Sequence, residues 1–140
     1  MKIILIILAM NFYGCGKSPL LNQEKDEPLP VTNSQETLLE FPATKLHFQL
    51  IWITPPSVEN LSSLNINFLE PLANNHQIES FIEMREHGHG SSPIVINILN
   101  DFKTVELREL AFFMTGRWTL VINIIENGIQ IDKWEQDIYL

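Results

Sequence analysis

The sequence holds a single cysteine, Cys15, among its 140 residues. No intramolecular disulfide and no thiolate metal cluster can form, so any folded domain must hold together by packing alone. Positive charge is also scarce: nine Lys and Arg stand against 17 Asp and Glu, a net charge of −8. The basic residues are scattered singly, and the clustered Lys and Arg that phosphate binding requires are missing, which excludes a nucleic-acid partner. The acidic surface is that of a solvated exterior, and is compatible with a cation as ligand. No Ser, His and Asp set has the local signature of a nucleophile elbow, and no glycine-rich phosphate loop precedes a helix, so nothing points to an enzyme.

Long apolar runs are confined to the first residues, MKIILIILAM. One positive charge is followed by an apolar stretch of eight residues, or eleven if extended to Tyr13. A bilayer span needs about 20 residues, so this stretch does not qualify. A charged start, a short apolar core and a small residue before a cleavage point describe a secretory signal peptide over residues 1–14. Gly14 and Cys15 resemble the lipobox of bacterial lipoproteins, with Cys15 as the lipidated first mature residue, although Phe12 and Tyr13 stand upstream where Leu is usual. A signal peptide without lipid leaves the thiol free; either way the protein is expected outside the cytoplasm. Gly16 after Cys15, in place of Asp, points to the outer membrane or cell surface in a cell with two membranes.

Residues 15–42 change character. Prolines, polar side chains and the lack of any period near 2 or 3.6 read as an extended tether, with at most one helical turn over residues 35–41.

From residue 43 to residue 140 the pattern is that of strands. Leu46, Phe48, Leu50 and Trp52 alternate with polar residues until Pro55 and Pro56; Leu64, Ile66 and Phe68 alternate next. Further strands are expected over residues 78–84, 94–98, 105–114, 118–126 and 129–139. Asn127-Gly128 has the chemistry of a type I′ hairpin turn. Residues 105–113, with Leu107, Leu110 and Ala111 at helix-like spacing, also admit a helix, but Val105, Phe112 and Phe113 favour a strand. About seven strands without a helix predict an all-β, immunoglobulin-like antiparallel sandwich. Trp52 and Trp118 are expected inside it, Trp134 at a rim, and His47 and His76 in solvent.

One segment carries candidate chemistry. In Met84-Arg85-Glu86-His87-Gly88-His89-Gly90, two imidazoles and a thioether share a glycine-rich loop. These donors suit copper, the thioether favouring Cu(I). Glu86 is placed to orient a ring, as metal-bound histidines require. Met114 becomes a further donor if its strand ends at the same rim. The alternative is an ordinary turn beside a core methionine.

MREHGHGSSP followed by FFMTGRW resembles the FixH/YtkA-like group of bacterial extracytoplasmic domains. Met84, Gly88, His89 and Gly90 match its first motif, and Phe112, Met114, Gly116 and Trp118 its second. Trp52 with Pro55 and Pro56 fits its first strand. His87 stands where the family has Met, and Arg85 where it has Pro. The resemblance implies an immunoglobulin-like sandwich and, in one branch, copper handling for respiratory oxidases, with Met84, His87, His89 and Met114 as copper ligands. It is equally consistent with the motifs being packing signatures. The expectation is therefore a lipid-anchored, non-enzymatic β-sandwich that binds copper as chaperone or buffer. Its rival is a metal-free interaction module of the cell envelope, paired with another envelope protein.

Overall fold

The computed structural model describes residues 37–99 and 101–140; the leader, Cys15 and the tether as far as residue 36 lie outside the described residues. Nine strands follow in chain order: β1 (Leu39–Glu40), β2 (His47–Thr54), β3 (Ser62–Phe68), β4 (His76–Met84), β5 (His89–Gly90), β6 (Val95–Ile98), β7 (Thr104–Leu110), β8 (Arg117–Glu126) and β9 (Ile129–Tyr139). A 3-10 turn, Arg85–His87, is the sole helical element among the described residues. All pairings are antiparallel, in two sheets ordered β1-β2-β3-β7-β6 and β5-β4-β8-β9.

With the two-residue strands β1 and β5 set aside, seven strands remain. Their order, β2-β3-β7-β6 facing β4-β8-β9, is the A-B-E-D against C-F-G arrangement of an immunoglobulin-like sandwich. The expected fold class is therefore the observed one.

Alternation explains the inner faces. Phe48, Leu64, Ile66, Phe68, Val105, Leu107 and Leu110 from the first sheet meet Ile78, Ile82, Met84, Trp118, Leu120, Ile122 and Ile124 from the second, all buried. Pro55 and Pro56 follow the last residue of β2, where missing backbone donors end pairing. Asn127 and Gly128 both have positive φ, 52° and 79°, and join Glu126 to Ile129 as the expected tight hairpin.

Four expectations are corrected. Residues 39–41 are neither tether nor helical turn: Leu39 and Glu40 pair with Phe48 and His47, and Phe41 is fully buried. Its ring lies 4.8 Å from that of Phe48 and 6.2 Å from that of Phe68, so an aromatic cluster fixes the start of the domain. The strand expected over residues 105–114 stops at Leu110, and residues 111–116 cross to the second sheet. Trp52 is half-buried rather than inside, because β2 lies beside the sheet edge; Trp134 is half-buried too, its ring edge-on to Phe48 at 5.2 Å. The His76 side chain, expected in solvent, is only 15% exposed.

One carboxylate ties the two sheets. Asp132 of β9 is buried, and its Oδ2 accepts hydrogen bonds from the Ala43 and Thr44 amides, at 3.0 and 2.6 Å, and from the Thr44 hydroxyl at 2.9 Å. These donors belong to the turn between β1 and β2, in the opposite sheet.

Candidate functional site

The Met84–Gly90 segment lies at one end of the sandwich, where β4 leaves the second sheet and returns as β5. The reversal is built by the 3-10 turn and by Gly88, whose φ of 64° and ψ of 23° lie in the left-handed region open to glycine. It brings His87 and His89 to the same side, both exposed, with ring centroids 6.3 Å apart and planes inclined by 16°.

Ion pairs made by Arg85 and Glu86 hold the turn against the sheet. Arg85 donates from Nε to Glu83 at 2.6 Å and from Nη2 to Glu135 of β9 at 2.7 Å. Glu86 pairs at 3.0 Å with Arg117 of β8, which also lies 3.9 Å from Asp137. The Arg85 hydrogen bond, aided by Lys133, lowers the Glu135 carboxyl from 4.5 to about 2. Glu86, expected to orient an imidazole, instead serves as the acidic partner of Arg117. The spacing of Arg117 and Glu86 in the sequence carries no sign of this pairing, which exists only because β8 lies beside β4.

The two methionines are placed differently. Met84 is 1% exposed and belongs to the core. It is the direct cross-strand partner of His89, so both side chains lie on the inner face of the sheet, Met84 within the core and His89 exposed at its edge. The Met84 Cε lies 2.9 Å from where a β-carbon on Gly116 would sit, and Gly116 has a φ of +137°. Met114, 43% exposed, lies two residues before Gly116 on the loop between β7 and β8. The loop therefore ends at the rim that carries the histidines.

The second motif has a packing account of its own. Trp118, at the start of β8, is buried and donates its indole N–H to the Met114 carbonyl at 2.9 Å. Immunoglobulin-like domains use a tyrosine at the corner before the equivalent strand, bonded back to upstream backbone; here an indole does the same. Phe112, also buried, meets the Trp118 ring edge-on at 5.5 Å.

What remains at the surface is a pair of imidazoles with one thioether on the neighbouring loop. An imidazole nitrogen binds a metal at about 2 Å along a lone pair in the ring plane, and the two rings stand stacked, so shared ligation of one ion requires at least one of these exposed side chains to turn. Among the described residues no group of three or more His, Cys, Asp or Glu converges. A metal bound here would therefore depend on the two imidazoles and on sulfur or solvent. The chain matches no protein-family model, no curated protein and no solved structure.

Proposed function

We propose that the chain is a non-enzymatic extracytoplasmic lipoprotein, anchored through Cys15, whose sandwich domain binds copper in exchangeable form as chaperone or buffer. The pairing of the His87 and His89 rings at 6.3 Å on an exposed, ion-paired turn carries this reading. Met114 supplies a thioether that favours Cu(I). Met84, with its sulfur in the core, supports the turn from beneath rather than ligating. An open site of few ligands suits an ion that is passed on, because incoming donors can attack the metal without unfolding the loop.

The resemblance to FixH/YtkA-like domains supports the same reading through Met84, Gly88, His89, Gly90, Met114, Gly116 and Trp118. A second reading, a metal-free envelope module, is favoured by one observation: Met84, Gly116 and Trp118 are accounted for by packing alone.

Titrating the full chain with Cu(I) and Cu(II) against a chelator of known affinity separates the two. Wild type is expected to bind one equivalent with sub-micromolar affinity. His89→Ala loses at least tenfold while keeping its melting temperature, since His89 is exposed. Binding weakens on acidification, because a protonated imidazole has no lone pair for the metal. Absence of binding above the chelator background leaves the envelope module as the surviving account.

A further inference from the structure

The five-stranded sheet ends on one side at β6, a four-residue strand paired with β7 alone. An open strand edge is a template for another chain, and proteins commonly blunt such edges with charge, proline or cover. The edges of the second sheet are blunted: β9 carries Asp132, Lys133, Glu135 and Asp137, and β4 carries Glu79 and Glu83 and is capped by β5. At the other edge of the five-stranded sheet, β2 is covered by β1 at His47 and Phe48 and stops at Pro55 and Pro56. β6 has none of these devices along its length. No charged residue occurs from Gly90 to Asn100, and Pro93 stands ahead of the strand.

The side chains on this edge are unusual for a strand end. Ile94 and Ile96 pack against the core yet remain half-exposed, and Ile98 is 37% exposed although it pairs with buried Val105. Three isoleucines at period 2 thus form a row that continues the interior of the sandwich out to its open side. Val95, on the opposite face, is 39% exposed, and Leu99 just beyond the strand is equally so.

We propose that this edge is where the protein pairs with a second copy of itself, β6 against β6, antiparallel about a two-fold axis at Ile96. The register follows from self-complementarity. Centred there, Ile96 meets Ile96 of the second copy, each Ile94 meets an Ile98, and each Val95 meets an Asn97. Every core-facing position on the edge is then filled by isoleucine from both sides. Cross-strand β-branched pairs of this kind are favourable units of sheet stabilisation. Centring one residue further on would place Val95 against Leu99 on the outer face and set each Ile94 opposite Asn100 in place of an isoleucine. A two-fold axis normal to the sheet keeps both isoleucine rows on the inner side, so the two cores join beneath one continuous sheet. The strand is short and the joint small, which places the association in the weak class, with a micromolar dissociation constant.

Sedimentation equilibrium of the full chain, from low micromolar to several hundred micromolar, tests this. Wild type is expected to pass from monomer to dimer and no further. Ile98→Lys places an ammonium opposite Ile94 of the second copy and is expected to leave only monomer. Ile53→Lys, 61% exposed on β2 at the other side of the same sheet, is expected to leave the association unchanged. In a Cys15→Ser background, Ile96→Cys is expected to crosslink on mild oxidation and Val95→Cys to stay uncrosslinked, which reads the register without relying on the lysine variant. Four outcomes overturn the proposal: a wild type that stays monomeric, an association that survives Ile98→Lys, one abolished by Ile53→Lys, or crosslinking at Val95→Cys in place of Ile96→Cys.

Discussion

The Met84 side chain packs against Gly116. The methionine methyl occupies the space a β-carbon on Gly116 would need, 2.9 Å away, and the glycine backbone sits at a φ of +137°. Gly116→Ala therefore combines backbone strain with displacement of the Met84 methyl, the far end of a flexible side chain. It is expected to cost about 2 kcal/mol or more, read as a fall in melting temperature. Gly90→Ala, with nothing within 4 Å of the added carbon, serves as the near-neutral control. The same residues show where sequence reading stops. A methionine, a glycine and a tryptophan at fixed spacing are compatible with a thioether site or with a packed corner, because both use the same side chains. Only the direction in which Met84 points separates them, and that is set by β8 lying beside β4.

At the scale of elements, alternation was legible wherever one face of a strand is buried, as in β3, whose burial alternates along its whole length. The segment with helix-like spacing shows why the rule fails elsewhere. Leu107 and Leu110 both point inward because one extra residue enters β7: Ser62 pairs with Leu110 while Leu64 pairs with Leu107. That bulge turns a period of 2 into a spacing of three, and it puts Glu109 at a φ of 63°. Such a φ is unfavourable for a residue with a β-carbon. Glu109→Gly is expected to stabilise the domain by up to about 1 kcal/mol, raising the melting temperature by a few degrees in a thermal scan. β8 hides its period differently. Thr119, Val121 and Asn123 face outward yet are buried, flanked in register by Glu83, Phe81 and Glu79 on one side and Asp137, Glu135 and Lys133 on the other. β1 and β5, two residues each, are too short to leave any pattern.

For the whole molecule, seven alternating segments and one Asn-Gly turn were enough to indicate an immunoglobulin-like sandwich, since few other arrangements close so many short strands. The start of the domain was not legible, because Phe41, between Glu40 and Pro42, belongs to no run of period 2. Its burial against Phe48 and Phe68 is a long-range fact. Phe41→Ala in the full chain is expected to cost about 3–5 kcal/mol, measured as a lower denaturant midpoint at unchanged m-value. A chain begun at residue 43 loses at least as much.

The Asp132 carboxylate, already described as a tie between sheets, also decides how the domain bears load. Pulled from its N-terminal side, the chain first meets β1, two residues that can peel one pair at a time. Behind β1 stand the aromatic packing of Phe41 and three hydrogen bonds converging on one oxygen of β9, which must break together. Tension arriving along the chain is thereby handed to the opposite sheet before β2 is disturbed, and the strands that carry the histidines lie beyond the point where the strain is taken up.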